Sequence, residues 1–355
     1  MIVRNTQAAI LTAQKQPLIV EEIELPSSLD VGQVLVEIHF SGICGSQLGE
    51  IDGVKGDDPY LPHLLGHEGS GVVLEVGPGV RTVSCGDHVV LHWRPGSGIQ
   101  SLPPVYKWNG QPLNAGFVTT FNKHAVVSEN RLTTIPKDYP MDLAALFGCA
   151  VTTGIGVVEN KGGLRMGESI VVVGAGGVGL NVIQGARLLS ASTIIAVDLV
   201  ESRVQLAMQI GATHGITSRD DSWVAQVRDI VGPWGADLIV DNTGIPDVIS
   251  RCLELTGQSG RVVLIGVPKK GLTTAIDTLP LHFGKILTGT HGGDGKPEVD
   301  IPRLLRLSRA SIMDLPSLIS NVRQLEDINQ AISEIRSGLI SGRCLIRMVH
   351  KSFNQ

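Results

Sequence analysis

Short apolar runs, many alternating with polar positions, characterise the chain from residue 1 to about 150. The stretches "VLVEIHF" and "GVVLEVG" follow this pattern, and Gly, Pro and Asn interrupt them at short intervals. A period of two residues broken by turn residues is typical of short antiparallel strands. The sequence therefore predicts a β-rich domain. It also predicts one long polar loop at 94–116, where turn residues occur throughout "RPGSGIQSLPPVYKWNGQPLNAG".

After residue 150 the pattern changes to strands and helices in alternation. We predict buried strands at "SIVVVGAGGVG", "STIIAVD", "ADLIVDNTG" and "GRVVLIGV", with helical spacing in "LNVIQGARLLSA" and "IPDVISRCLELTG". Such alternation predicts an α/β domain with a doubly wound parallel sheet. Near the C-terminus the sequence again resembles the first domain, with an amphipathic helix in "LEDINQAISEIRSG" and a strand at "RCLIRMV". We therefore expect one domain from 1–153 with 292–355, and a second from 154–291.

Composition and charge narrow the classes of function. The 355 residues are 43% hydrophobic and 18% charged with a net charge of -5, which is ordinary for a globular protein of two domains. The basic residues are scattered, which argues against a nucleic-acid partner. The N-terminus lacks the features of a signal peptide, and no run of about 18 apolar residues follows. We expect a cytoplasmic protein with no membrane partner.

A dinucleotide-binding motif lies at the start of the second domain. Gly174, Gly176 and Gly179 in "VVVGAGGVGL" form G-x-G-x-x-G between a predicted strand and a predicted helix, with Gly177 and Val178 inside the turn. Asp198 ends the next strand, where a carboxylate can bind both ribose hydroxyls and repel a 2'-phosphate. The motif predicts NAD rather than NADP. The alternatives are a glycine-rich turn without a dinucleotide and, for Asp198, a simple strand-end residue.

Two cysteines and one histidine of the first domain could bind zinc. Five cysteines, an odd number without a C-x-x-C pair, argue against a disulfide framework. Cys44, His67 and Cys149 would supply the Cys₂His set that catalytic zinc uses. Their spacing alone does not establish a site, because no local geometry links them. Taken singly, each cysteine could be a small buried apolar residue and His67 a hydrogen-bonded core histidine.

Several motifs together resemble those of the zinc-dependent medium-chain alcohol dehydrogenases. "GHEGSGVVLEVGPGV" resembles the zinc signature of that family, while "GICGS" and "CAVTTGIG" resemble its first-ligand and third-ligand segments. The likeness continues through "GAGGVG" to the C-terminal "GRCLI". It implies an α/β protein with a GroES-like β-rich catalytic domain, a Rossmann domain and one catalytic zinc.

The resemblance assigns roles around the metal. Cys44, His67 and Cys149 match the zinc ligands. Glu68 matches an acid that sits behind the metal and can move in to coordinate it. Ser46 matches the hydroxyl that takes the proton of the alcohol, although a simple turn hydroxyl is the alternative.

Further matches concern the coenzyme and the substrate. Thr153 matches a contact to the nicotinamide, Arg343 a contact to the pyrophosphate and Arg203 a basic residue near the adenosine ribose. Trp93 lies where the family places an aromatic wall of the substrate pocket, with core packing as the alternative.

The chain departs from the family pattern where many relatives bind a second, structural zinc through four cysteines. The corresponding stretch, 94–116, contains no cysteine. We therefore expect one metal ion per chain. The three remaining cysteines, Cys85, Cys252 and Cys344, are then structural thiols.

Two further departures affect the surroundings of the metal. Gln47 stands where relatives usually have an aspartate bonded to the zinc-binding histidine, and Gly49 where some have a proton-relaying histidine. A neutral amide can still orient the imidazole, but it adds no negative charge to this ligand.

The resemblance implies hydride transfer between NAD(H) and an alcohol or carbonyl substrate. His92, Trp93 and Arg94, beside the polar loop, suggest a polyol or sugar derivative. Alternatives are a zinc-free quinone or enone reductase, a non-catalytic nucleotide-binding protein, and redox regulation through Cys44 and Cys149. The family also suggests a homodimer or homotetramer paired through a sheet edge at 273–290.

Overall fold

A computed structural model describes residues 3–349 of the chain. The chain divides into two compact units. The first comprises Met1–Cys149, Lys296–Arg306 and Ile319–Gln355, and the second comprises Ala150–Gly295 and Leu307–Leu318.

The chain contains strands throughout both units and nine α-helices within the described residues. The strands are β1 (Asn5–Leu11), β2 (Ile19–Glu24), β3 (Gln33–Gly42), β4 (His63–Leu64), β5 (Glu68–Val76), β6 (His88–His92), β7 (Tyr106–Trp108), β8 (Gln111–Leu113), β9 (His124–Ser128), β10 (Leu132–Ile135), β11 (Ser169–Val173), β12 (Thr193–Asp198), β13 (His214–Thr217), β14 (Ala236–Asp241), β15 (Thr256–Leu264), β16 (Ile286–Gly289), β17 (Ile319–Gln324) and β18 (Arg343–Arg347). The α-helices are α1 (Gly45–Ile51), α2 (Met141–Ala145), α3 (Ala150–Gly156), α4 (Gly177–Leu188), α5 (Glu201–Ile210), α6 (Ser222–Val231), α7 (Pro246–Leu255), α8 (Pro297–Arg309) and α9 (Ile328–Arg336).

The first unit is β-rich, as its alternating pattern predicts. One sheet has the order β4-β1-β2-β7-β8, and the other has the order β10-β6-β5-β3-β18-β17, with β9 also paired to β3. The C-terminal β18 is antiparallel to β3, so the end of the chain completes a sheet begun near its start. Buried aliphatic residues of β3, β6 and α9, among them Val36, Leu91 and Ile332, form the main core of this unit.

The second unit is a six-stranded parallel sheet with the order β13-β12-β11-β14-β15-β16. The strand order reverses beside β11, which is the doubly wound arrangement that places a ligand at the carboxyl ends of the strands. β11 consists of "SIVVV" and is buried along nearly its whole length, as a parallel strand covered on both faces should be. β16 forms one edge of the sheet, within the predicted range 273–290.

The prediction of one long loop at 94–116 is wrong in part, because this segment contains the hairpin of β7 and β8. Asn109 and Gly110 form its turn with φ values of 51° and 72°. An Asn-Gly pair with both φ angles positive is the preferred two-residue hairpin turn. The local signal was therefore present in "KWNGQP", and the surrounding Pro and Gly residues obscured it.

The unit boundaries also differ from the expected ones. The structure divides the chain after Cys149 and after Gly295, and it assigns 307–318 to the second unit. A reason for the earlier first boundary is that α3 packs directly on α4. A Cβ atom at Gly154 would lie 2.5 Å from the Cβ of Asn181, so only glycine permits this approach.

Within residues 3–349, no single helix has the length and apolar character needed to cross a membrane. One bent pair, Met141–Gly148 with Ala150–Lys161, meets the criteria of length and composition when its two segments are combined.

Candidate metal centre and coenzyme-binding loop

Cys44, His67 and Cys149 converge in the first unit. Their ligand atoms all lie within 4.8 Å of one another, and the two sulfurs are 3.9 Å apart. Cys44 immediately precedes α1, His67 lies between β4 and β5, and Cys149 precedes α3. The three predicted ligands, far apart in the sequence, therefore form one cluster.

A glycine fixes the position of His67. Gly66 has a φ of 94°, which favours glycine, and a Cβ atom there would lie 2.6 Å from the backbone nitrogen of Phe121. Only glycine lets the chain pass the segment around Phe121 closely enough to turn the imidazole toward the two thiols. The "GHE" motif therefore encodes a backbone constraint as well as a predicted ligand.

The donor set of this cluster fits a zinc ion. His67 Nε2 is buried and has no hydrogen-bond partner among the described residues. Two sulfurs and one imidazole nitrogen are the ligands that borderline-soft Zn²⁺ prefers, and three protein ligands leave a fourth position open. A metal ion bound by the two sulfurs would give this unpaired nitrogen a partner.

The protonation of the cluster also favours a cation. The contact with Cys149 lowers the pKa of Cys44 well below its ordinary value, although burial acts in the opposite direction. The same contact, with burial, raises the pKa of Cys149. Burial lowers the pKa of His67, but the contacts with Cys44 and the charge of Glu68 together outweigh it, so this pKa is raised. The contact between the two thiols thus favours ionisation of Cys44 beside the imidazole, and metal binding would displace the proton of Cys149.

Gln47 contacts both Cys44 and His67. Its Oε1 accepts a hydrogen bond from the backbone N–H of Cys44 at 3.1 Å, and its Nε2 lies 2.7 Å from His67 Nδ1. Because the Cys44 N–H requires an acceptor, the amide nitrogen of Gln47 must face His67 and donate to Nδ1. A neutral imidazole then carries its proton on Nε2, on the side of the thiols. Gln47 therefore orients His67 but favours the tautomer that a metal must displace.

Glu68 and Arg343 form a buried ion pair behind the cluster. Arg343 Nη2 donates to Glu68 Oε2 at 2.9 Å, and its Nε lies 2.8 Å from Oε1. Burial raises the pKa of Glu68, and Arg343 offsets part of that rise. Glu68 and the thiols raise the pKa of Arg343 despite its burial. Arg343, assigned from the resemblance to the pyrophosphate, is thus engaged with Glu68, and its contact with a coenzyme stays a prediction.

Trp93 lies beside His67. Its ring centroid is 6.5 Å from that of His67 at an interplanar angle of 63°, and the Arg94 guanidinium lies 5.8 Å from the Trp93 ring. His92, in contrast, is fully buried: its Nδ1 lies 2.7 Å from the Arg94 carbonyl and its Nε2 lies 3.0 Å from Thr133 Oγ1. Burial lowers the pKa of His92 to about 4. His92 is therefore a core residue, which corrects its predicted place beside a substrate.

The glycine-rich loop of the second unit has the geometry that its motif predicts. Gly174 has a φ of 95°, and a Cβ atom at Gly179 would lie 2.0 Å from the Gly174 carbonyl oxygen. At Gly176 a Cβ atom would meet nothing within 4 Å, so the protein itself does not require glycine there. A phosphate above the loop would require it, because the backbone must approach the ligand closely. α4 then begins at Gly177, directing its N-terminal N–H groups toward the same space.

Asp198 is anchored next to this loop. Its Oδ2 accepts the Ala175 N–H at 2.8 Å and its Oδ1 accepts the Val200 N–H at 3.0 Å. Arg203 Nη1 lies 3.8 Å from Oδ1. Asn242, which the sequence analysis did not identify, donates from Nδ2 to the Gly174 carbonyl at 3.1 Å and holds the turn. Its position after β14 in "DNTG" was the available signal.

The remaining predicted residues are placed as follows. Thr153 is buried in α3, and its Oγ1 has no hydrogen-bond partner within residues 3–349. Ser46 lies in the first turn of α1, partly exposed. Cys252 and Cys344 are buried, whereas Cys85 is exposed and donates to the Leu74 carbonyl. The structural role of these three thiols stays a prediction.

Comparison with known proteins agrees with this arrangement. A family model described as "Alcohol dehydrogenase GroES-like domain" matches residues 30–137, and one described as "Zinc-binding dehydrogenase" matches residues 177–309. The NDMA-dependent alcohol dehydrogenase of Amycolatopsis methanolica is 33% identical, covering 94% of this chain and 96% of that protein. The S-(hydroxymethyl)glutathione dehydrogenase of Synechocystis sp. is also 33% identical, covering 94% of this chain and 97% of that protein.

Solved structures extend the agreement to the fold. The crystal structure of benzyl alcohol dehydrogenase from Acinetobacter calcoaceticus matches with a TM-score of 0.87 at 29% identity, covering 98% of this chain and all of that one. The β-rich unit, the parallel sheet and the converging Cys-His-Cys cluster thus occur together with similarity along almost the whole chain. The protein belongs to the zinc-type alcohol dehydrogenases of the medium-chain dehydrogenase/reductase family, a family of oxidoreductases.

Proposed function

We propose that the protein transfers hydride between NAD(H) and an alcohol or its carbonyl product, with one zinc ion held by Cys44, His67 and Cys149. The observation that carries this proposal is the buried, unpartnered His67 Nε2 facing two thiols 3.9 Å apart. A reductase without zinc would have no need for these three side chains to converge.

Other residues take the remaining roles. Zinc in this position would act as a Lewis acid on the substrate oxygen. Ser46, two residues after Cys44 in the first turn of α1, would accept the proton of the alcohol. Thr153, whose buried hydroxyl lacks a partner among the described residues, would contact the nicotinamide. Glu68 balances the charge of Arg343 and keeps this guanidinium fixed behind the ligands.

NAD is the proposed coenzyme. The Asp198 carboxylate is held by two backbone N–H groups at the end of β12, beside the glycine-rich loop. A fixed negative charge there accepts hydrogen bonds from ribose hydroxyls and repels a 2'-phosphate. The open space above Gly176 is compatible with the pyrophosphate of a dinucleotide.

For the substrate we propose a hydroxylated or charged alcohol such as a polyol or sugar derivative. The support is the Trp93 ring beside His67 and the Arg94 guanidinium near that ring. The relatives are named for benzyl alcohol and for S-(hydroxymethyl)glutathione, which represent an aromatic and a charged alternative. A panel that contains all three classes, assayed with NAD⁺ and with NADP⁺, separates them.

Elemental analysis of protein purified without added metal tests the metal site. The wild type should contain one zinc equivalent per chain. Cys149→Ala should lose this zinc together with the dehydrogenase activity. The matched control is Cys252→Ala, which removes an equally buried thiol in the second unit and should keep both. Equal zinc contents in the two variants would contradict the proposed ligands.

We also propose assembly into a homodimer or homotetramer through the edge strand β16. Large apolar side chains lie exposed near this edge, with Leu279 62%, Phe283 64% and Ile286 50% accessible. Light scattering of the wild type and of Ile286→Lys tests the assembly, since the charge should shift the mass toward that of one chain. The cytoplasmic location stays a prediction from the sequence.

A further inference from the structure

A second cluster of metal-binding side chains lies in the first unit, separate from the cysteine site. Glu50 belongs to the last turn of α1, Asp58 to the following loop and His63 to β4. His63 Nε2 lies 2.8 Å from Asp58 Oδ2 and 3.9 Å from Glu50 Oε1. One ligand atom from each residue can be chosen so that all three lie within 4.8 Å of one another.

Both ring nitrogens of His63 face hydrogen-bond acceptors. The ring is more than nine-tenths buried, and its Nδ1 lies 3.0 Å from the carbonyl oxygen of Leu64. A carbonyl only accepts, so Nδ1 must carry a proton. In a neutral imidazole, Nε2 then has a lone pair, yet it faces the Asp58 carboxylate, which is also only an acceptor. The contact is therefore made either by an imidazole that carries a proton on both nitrogens or by a metal ion bound to Nε2 and the carboxylate.

We propose that Glu50, Asp58 and His63 bind a divalent first-row transition-metal ion. A histidine that donates from Nδ1 to a backbone carbonyl while presenting Nε2 has the usual orientation of a metal ligand. The Tyr60 N–H donates to Asp58 Oδ1 at 2.9 Å and leaves Oδ2 directed at the imidazole. Metal–ligand distances of about 2.0–2.2 Å place neighbouring ligand atoms roughly 3 Å apart. Glu50, whose side chain is 45% exposed, can move by the small amount required.

The position of the cluster gives such an ion a structural role. Glu50 and Gln47 lie on α1, the helix that begins directly after Cys44. His63 lies four residues before His67. An ion at the cluster would therefore join the two segments that carry two of the proposed zinc ligands. The expectation of a single metal per chain rests on the absence of further cysteines, and this cluster contains none.

Titration with Mn²⁺ tests the cluster in the full-length, zinc-loaded protein. Carboxylate and imidazole ligands suit Mn²⁺, whereas the thiolates of Cys44 and Cys149 select zinc. The electron paramagnetic resonance signal of free Mn²⁺ should show one bound ion per chain. Asp58→Asn and Glu50→Gln should weaken binding by about tenfold or more. The matched control is Asp57→Asn, which neutralises an exposed neighbour outside the cluster and should bind as the wild type does.

A second readout follows the effect on stability. Mn²⁺ should raise the melting temperature of the wild type and of Asp57→Asn, but not that of Asp58→Asn. His63→Gln should also abolish binding, and the two carboxylate variants keep the test valid if this buried substitution prevents folding. Absence of Mn²⁺ binding, or equal binding by the Asp57 and Asp58 variants, would overturn the proposal and leave a proton as the cation.

Discussion

Replacing Gln47 by glutamate should tighten zinc binding, because it removes a conflict between the amide and the metal. With Gln47, zinc at His67 Nε2 moves the ring proton to Nδ1, which then faces the amide N–H₂ group 2.7 Å away. Turning the amide over would remove this clash between donors, but it would place the amide nitrogen against the Cys44 N–H, 3.1 Å away. Either arrangement leaves a buried donor unsatisfied, at a cost of about 1–3 kcal/mol.

The carboxylate of Gln47→Glu keeps the length of the side chain and accepts from both donors. Removing the unsatisfied donor and adding a charge-assisted hydrogen bond amounts to about 1.5–3 kcal/mol. That energy corresponds to an affinity increase of roughly 10- to 150-fold. Competition with a chelator of known affinity measures the zinc dissociation constant directly, independently of activity.

The control is Gln16→Glu, which adds the same charge at an exposed position of the first unit. It should leave the zinc affinity unchanged, which separates the local hydrogen-bond effect from a change in net charge. An affinity of Gln47→Glu equal to or weaker than that of the wild type would refute the inferred orientation of the amide.

Three other substitutions test individual charged residues of the protein. Backbone N–H groups hold the pKa of Glu129 below its ordinary value despite burial. The stability that this carboxylate contributes to the fold is therefore present above the pKa of the unfolded state, and it is lost as acid protonates the folded carboxylate. Glu129→Gln should lower the free energy of unfolding by about 2–4 kcal/mol at pH 7 and flatten its dependence on pH below about 4.3, measured by urea titration. Arg343→Met should cost about 3–5 kcal/mol because it leaves Glu68 buried without its cation, and thermal unfolding should show partial recovery in the double variant with Glu68→Gln. Asp198→Ser should lower the ratio of kcat/KM for NAD⁺ to that for NADP⁺ by about tenfold or more, and an unchanged ratio would count against its assignment to the ribose.

The sequence predicts those features whose cause is local. Gly174 and Gly179 are recognisable because the turn and the close packing that require them lie within a few residues. The strands and helices of the second unit follow from their own apolar periodicity, which explains why β11 and β14 lie where the pattern places them.

Features that depend on distant pairing could not be obtained in this way. Arg343 meets Glu68 only because β18 pairs with β3 and β3 pairs with β5. No spacing in the sequence encodes that register. The orientation of Gln47 likewise depends on two partners from different segments, one of which is a backbone N–H without a sequence signature. The proposed zinc ligands are recognisable through family motifs rather than through their spacing.

A buried carboxylate connects the loops near the place where many relatives carry the four-cysteine lobe. Glu129 Oε1 accepts the N–H groups of Arg81 and Thr82 at 2.6 and 2.8 Å, and its Oε2 accepts the Ile99 N–H at 2.7 Å. This one side chain thereby joins the turn before β6 to the segment after β6, as a structural metal ion joins separate loops. The carboxylate differs from a metal ion because protonation weakens the hydrogen bonds that it accepts. The acid sensitivity of this region should therefore exceed that of the sheets, whose backbone hydrogen bonds do not titrate.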